Sequence, residues 1–295
     1  MVRIEKVDSR IQGIILEDIR TCWLLRDKKT VLIDSGLPVE TSNLLSGLEK
    51  LALTPQDIDY LALTHIHVDH GGGAGNLAAE NPDLKIFVHA KGAKHLANPQ
   101  KLVDSIKKVY GDDFAAVGAM LGIPSDQIIA IDTGDTIDLG GNSLEVFYTP
   151  GHAKHHVVFF DTASDSIFSG DALGSKYKDA PNFVLAPPPD YDKDVAKQSV
   201  DLIKGLRPKR INFTHCGAYD LNGQEDFYEK LKDRHDLWTD CIFEIINENR
   251  NLSTNQVFEQ FVKKLPELNN YPEQFWSFHL SVKGILNYLK RSGRI

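Results

Sequence analysis

One string constrains this chain more than any other: Thr64-His65-Ile66-His67-Val68-Asp69-His70-Gly71-Gly72-Gly73. Four side chains able to bind a metal fall within six residues. The string follows the apolar run 60–63, which reads as a short buried strand, and precedes a helical segment that begins near residue 75. In an extended segment His65 and His67 point the same way, because side chains alternate with period two, so they can grip one ion together. Asp69 and His70 fall where the chain turns, and they can face a second ion. The glycines let the backbone approach that site closely. A solvated polar loop gives no reason for this crowding, whereas two buried ions do.

Three more candidates stand at wide separation, each just past an expected strand. His152 ends Thr149-Pro150-Gly151-His152, Asp171 ends Ser169-Gly170-Asp171, and His215 follows Thr214. Alone, each reads as a turn or capping residue. Together with the histidine string they read as strand ends from one edge of a sandwich, converging on borderline divalent metals.

Strands are expected at 2–7, 12–17, 21–26, 30–34, 60–63, 85–89, 127–131, 143–148, 156–161, 166–169 and 210–213. Helices are expected at 40–51, from 75, within 99–121 and at 193–205. The Pro-rich stretch 173–191 reads as a loop. From about 221 to 295 the pattern is wholly helical: Phe227, Leu231, Trp238, Ile242, Ile245 and Ile246 recur at helical spacing. Ser253 with Gln256 makes a capping box, and Val282, Ile285, Leu286 and Leu289 form a last apolar stripe. The domain division is therefore 1–220 and 221–295.

The motif set HxHxDH, then His, Asp and His, resembles the metallo-β-lactamase fold superfamily, in its glyoxalase II-like branch, over about residues 10–218. The resemblance implies an α/β fold, a four-layered αββα sandwich with a C-terminal helical appendage. It implies His65, His67 and His152 on one metal, Asp69, His70 and His215 on a second, and Asp171 bridging both. Asp34, in Asp34-Ser35-Gly36, matches a family position that supports ligand geometry. The segments TPGHAKHH and IFSGDAL and the ending HLSVKGILNYLKRSGRI are similar to a glyoxalase II-like subgroup with a C-terminal helical extension. The full ligand set differs from that of the classical β-lactamases, which use a Cys and lack the His70-type ligand. His67 differs from the Glu of the flavodi-iron branch.

The expected activity is metal-dependent hydrolysis of an ester, thioester or lactone bond in a small molecule. Two divalent ions, zinc first and iron or manganese by the same N/O donor set, bring the pKa of a shared water near neutrality. The hydroxide attacks a carbonyl carbon, and Asp69 is the catalytic residue that orients it and shuttles its proton. No GxSxG string offers a competing serine nucleophile. The alternatives are a phosphodiesterase or nuclease on the same metal site, and a non-catalytic binding or regulatory protein. Lys283, Lys290, Arg291 and Arg294 raise a DNA-reading tail for the latter, although basic residues at a helix C-terminus ordinarily serve the dipole.

The remaining groups carry blander readings. His89, His95, His235 and His279 read as surface or ordinary hydrogen-bonding residues. Of His155 and His156, one starts a strand and the other faces the pocket, neither as a ligand. Cys216 reads as a structural thiol facing away from the metals. Tyr177, Phe183 and Tyr191 are either substrate contacts or packing for their loop. Lys and Arg number 33 against 41 Asp and Glu, a formal net charge of -8, which speaks against nucleic acid as the partner. Three cysteines form no disulfide framework and fit a cytoplasmic protein. No signal peptide or membrane span is expected, and a homodimer is an expectation that no feature requires.

Overall fold

Alternating apolar residues at the start of the chain make a meander, and apolar runs that follow make buried parallel strands. In the computed structural model the first sheet has seven strands, in sequence order: β1 (Arg3–Lys6), β2 (Ile11–Leu16), β3 (Arg20–Arg26), β4 (Thr30–Ile33), β5 (Tyr60–Ala62), β6 (Lys85–His89) and β7 (Ile128–Ile131). Pairs up to β3–β4 are antiparallel, and those from β4–β5 onward are parallel. The parallel pairs need crossovers. These carry α1 (Thr41–Lys50), α2 (Val68–Gly71), α3 (Ala74–Glu80), α4 (Ala90–Ala97), α5 (Gln100–Tyr110) and α6 (Phe114–Val117).

The second sheet has six strands in the order β15-β14-β11-β10-β9-β8. They are β8 (Thr136–Asp138), β9 (Ser143–Tyr148), β10 (Val157–Asp161), β11 (Ser166–Gly170), β14 (Arg210–Phe213) and β15 (Gly217–Asp220), with a separate hairpin of β12 (Ser175–Tyr177) and β13 (Ala180–Val184). Helix α7 (Lys193–Leu206) crosses over to make β14 parallel to β11. The chain ends in α8 (Phe227–Glu248), α9 (Thr254–Lys264) and α10 (Phe275–Arg291). The structure describes all residues except 1, 17–18, 178–179, 216, 225 and 271–274, and no side chain within 176–183 or 271–276.

Three apolar clusters define the layers. One, with Leu32, Leu44, Leu61 and Ile86, lies between the first sheet and its helices. The second, with Trp23, Ile33, Val146 and Phe159, fills the space between the sheets. The third, with Val158, Ile211, Val200, Trp238 and Phe278, lies between the second sheet and α7 with the C-terminal helices. This is the four-layered αββα sandwich with its helical appendage. The appendage shares the third core with the sheet rather than forming a core of its own. Trp238 ties it together, meeting Phe261 edge-on at 5.3 Å and Phe278 at 5.9 Å, contacts that contribute about 0.5–1.5 kcal/mol each beyond area burial. The capping box at α9 forms, with Ser253 N–H donating to Gln256 Oε1 at 2.9 Å.

The stretch 173–191 departs from the expected loop, because it contains the β12–β13 hairpin. Among the described residues that ribbon pairs only with itself, and it has a register shift, so little periodicity marks it. The consecutive prolines fall beyond it, at 187–189. Strands β8 and β15 and helix α4 also lie outside the expected elements. The two strands are only 3 and 4 residues long.

Candidate metal centre

Four of the metal-capable residues singled out in the sequence stand just past the C-terminal end of a strand, and the other three on the single helical turn that follows the first of them. His65 follows β5, His152 follows β9, Asp171 follows β11 and His215 follows β14. His67 is the N-cap of α2, and that single turn carries Asp69 and His70. Gly72 is required there, because a Cβ would lie 2.0 Å from Val68 O and 2.5 Å from Pro38 Cδ. At β11 the register against β14 shifts between Phe168 and Gly170, an irregularity of the kind that re-aims a side chain beside a site. Gly170 takes φ +47, and a Cβ there would meet both His156 Nε2 and Thr64 at 2.7 Å.

The structure brings all seven residues together. Three groups each have their ligand atoms within 4.8 Å of one another: His65, His67 and His152; His65, His70 and Asp171; Asp69, His70 and His215. His67 Nδ1 lies 2.9 Å from His65 Nε2 and 2.9 Å from His152 Nε2. Asp171 spans the clusters: its Oδ2 is 3.4 Å from His152 Nε2, and its Oδ1 is 3.4 Å from His70 Nε2 and 3.5 Å from His215 Nε2. Asp69 Oδ2 is 3.5 Å from His215 Nε2.

The electrostatics divide the cluster in two. Burial, then the neighbouring imidazoles, hold His65 well below the usual histidine range. Burial likewise lowers His67, and brings His152 down to about 3. These three are neutral donors of lone pairs, the form that binds metal. On the other side burial is outweighed: Asp171, Asp34 and Asp69 together hold His70 well above its ordinary value. Burial raises Asp69 and Asp171, but His70 and the other imidazoles around them overcome it and keep both carboxylates ionised. Among the described residues His70 Nε2 and Asp171 Oδ1 are buried with no hydrogen-bond partner, although they face each other at 3.4 Å. Buried polar atoms are ordinarily satisfied, and a shared cation would satisfy both. The donor set of imidazole and carboxylate suits zinc, iron or manganese.

Asp34 organises this cluster. It is fully buried at φ +58, a backbone region that costs a non-glycine residue of order 1 kcal/mol and that aspartate tolerates better than most. It pairs with His70 Nδ1 at 2.8 Å and accepts from Thr64 N–H at 2.8 Å and from Thr214 Oγ1 at 2.9 Å. It thus fixes His70 directly, and the residues before His65 and His215. His156 holds the far side, its Nε2 accepting from the Asp171 backbone N–H at 3.1 Å and its Nδ1 meeting Thr149 Oγ1 at 2.9 Å. His155 stacks parallel to His65 at 6.2 Å.

The other groups singled out in the sequence fall as follows. Tyr191 is buried and lines a narrow cleft that opens beside His152 and Asp171. His235, read from the sequence as a surface or ordinary hydrogen-bonding residue, is buried in the same cleft and pairs with Tyr191. Its signal was present: residues 231, 235, 238 and 242 make one helical stripe, and its neighbours on that stripe are Leu, Trp and Ile. His89 is also buried, stacked on Tyr148 at 4.4 Å. Arg294 pairs with Asp240 and covers Phe243, and Arg291 donates to the carbonyls of Pro189 and Tyr191. Arg291 therefore docks the appendage on the strap, and Arg294 ties its last residues to α8. Cys216 and the side chains of Tyr177 and Phe183 lie outside the described residues. Among the described residues, no helix is long and apolar enough to cross a membrane.

The chain belongs to the Metallo-beta-lactamase superfamily, whose sequence profile matches residues 16–215. It is 30% identical over 227 residues to a metallo-beta-lactamase fold-containing protein of Sulfurisphaera tokodaii, covering 75% of this chain and 81% of that one. It is 26% identical to the hydroxyacylglutathione hydrolase of Serratia proteamaculans, covering 52% of this chain and 47% of that enzyme, so it spans about half of that relative's length. Among solved structures, a metallo-beta-lactamase family protein from Thermus thermophilus superposes with a TM-score of 0.66 at 20% identity, over 93% of this chain and 89% of that one. That likeness speaks for the fold alone.

Proposed function

We propose that this chain is a dinuclear metal-dependent hydrolase that cleaves an ester, thioester or lactone bond of a small molecule. One observation carries the reading: Asp171 reaches two separate His-containing clusters at once, with one carboxylate oxygen toward each. His65, His67 and His152 would hold one ion, Asp69, His70 and His215 the other, with Asp171 shared. Zinc is the first expectation. When bound, such ions supply Lewis acidity, acidifying a water and polarising a carbonyl oxygen. Asp69 is the most exposed of these carboxylates, its side chain 28% accessible against 6% for Asp171. That access suits it to orient the attacking water, take its proton and pass it to the leaving group. Asp34 and His156 keep the ligands in place, as carboxylate and backbone partners of ligands do at metal sites. The likeness to a hydroxyacylglutathione hydrolase supports a thioester among the substrates.

Elemental analysis tests the reading, with wild type and Asp171→Ala prepared without chelator. It expects two equivalents of metal per chain in the wild type and a sharp loss in the variant. A screen of ester, thioester, lactone and phosphodiester substrates with that metal then assigns the bond. Wild type without metal even after reconstitution would sink the hydrolase reading, and phosphodiester turnover alone would move it to the nuclease alternative.

A further inference from the structure

The cleft beside His152 and Asp171 is walled by Ala172, Leu185, Ala186, Pro187 and Ala196, and its remaining polar side chains are Tyr191 and His235. His235 comes from α8, in the C-terminal appendage, and is 5% exposed. Its ring lies parallel to Tyr191, 8° between planes, with Nδ1 2.5 Å from the Tyr191 hydroxyl. Its Nε2 is buried and has no hydrogen-bond partner among the described residues. An unpaired buried polar atom costs about 1–3 kcal/mol, a cost that a ligand oxygen entering the narrow cleft His235 lines would remove.

The pair is rigidly held. The strap that carries Tyr191 is clamped by α10. Asn287 Nδ2 donates to Pro189 O at 3.3 Å, and Arg291 donates to Pro189 O at 3.2 Å and to Tyr191 O. Gly284 lets the helix sit on the strap, since a Cβ there would lie 2.3 Å from Pro187 O. Tyr288 fixes the start of α7 by donating to Asp194 at 2.7 Å.

Burial, then the cation of Lys197, brings His235 down to about 3, so the imidazole is neutral. Burial holds the Tyr191 phenol protonated. The phenol therefore donates to Nδ1, and the imidazole's own proton sits on Nε2. A neutral donor among aliphatic walls recognises an uncharged acceptor oxygen.

We propose that His235 is a specificity-determining residue whose Nε2–H binds an uncharged carbonyl or hydroxyl oxygen on the slender limb of the substrate, with Tyr191 as its positioning partner. The proposal rests on the hydrolase reading for the identity of the reacting bond, and on the cleft alone for binding. It makes the appendage part of the active site.

The test uses the full-length protein and two matched pairs of probes. The cleavable pair is the acetoacetyl and butyryl thioesters of N-acetylcysteamine, which have equal acyl length and differ by one oxo group. The uncleavable pair is N-butylacetoacetamide and N-butylbutyramide, followed by calorimetry. Wild type is expected to favour the oxo member of each pair by about tenfold, the effect of one hydrogen bond. His235→Phe keeps the ring stack and should abolish that preference, with the change in KM rather than kcat. His235→Gln, which restores a donor, should recover part of it, and Tyr191→Phe should lie between. Circular dichroism and metal content equal to wild type exclude a folding defect. A His235→Phe protein that retains the oxo preference in binding overturns the proposal, as does equal weakening of both members of a pair. Wild type that binds with the preference but cleaves no thioester, ester or lactone leaves the cleft assignment standing and sinks the hydrolase reading.

Discussion

The floor of the site and its wall are built on different principles. The floor is made by strand ends and a one-turn helix, tied through a single buried carboxylate, Asp34. Among its described residues, the buried polar side-chain atoms without a hydrogen-bond partner are on His70 and Asp171, and they face one another. The wall is made by helices and a proline strap, held mainly by apolar contact, and the buried His235 Nε2 in it has no hydrogen-bond partner among the described residues. Chemistry is concentrated where geometry is fixed by short backbone-anchored links. Selectivity lies where packing of distant segments sets the shape. A change to the floor should therefore remove activity with little loss of fold, and loss of a large apolar side chain from the wall should cost stability and leave the metal in place.

The largest effect is expected at the floor. Asp171→Ala should lower turnover by on the order of 10³-fold, equivalent to about 4 kcal/mol of barrier. Turnover within tenfold of wild type, at equal metal content, would remove Asp171 from its spanning role. At the wall, Trp238→Ala should destabilise the fold by about 3–5 kcal/mol, the range for a large buried aromatic, while the folded protein keeps its metal. Denaturant midpoints with elemental analysis check both halves, and joint loss of metal and stability would erase the distinction between floor and wall.

Asp34→Ala acts through His70 rather than on the ion, so it should weaken metal affinity by about 10–100-fold, read by competition with a chelator. A variant as tight as wild type would show that the turn holds the ligands without it. A further effect concerns pH. His235 is held at about 3 in the folded protein against 6.5 when unrestrained. Between these values the unfolded chain binds the extra proton, so this group's contribution is whole above pH 6.5. It is lost as pH falls toward 3, by up to about 1.4 kcal/mol per pH unit. The stability gap between wild type and His235→Phe, followed from pH 7 to pH 4, isolates this contribution. A gap independent of pH would mean that His235 is not kept neutral.

Most of the floor was legible in the chain. Four of its seven residues are consecutive or nearly so, and the other three follow apolar runs that read as strands. The hairpin within 173–191 was not legible, because its short strands pair only with each other and leave no two-residue alternation against a core. The role of His156 was also hidden. It lies on the same stretch as His152, and its bond to the Asp171 backbone joins segments that meet only in the folded sheet.

The sequence by itself determined the metal-suited string, the strand-end candidates and the helical character of the last 75 residues, since 295 less 220 leaves that many. These are properties of spacing along the chain, which neighbouring residues fix through backbone periodicity. Only the tertiary structure decided that Asp171 spans two clusters, that Asp34 ties three segments to one carboxylate, and that His235 meets Tyr191 across 44 residues of chain. Such contacts depend on how sheets and helices pack. No local pattern encodes a distance between segments that meet only when the core closes.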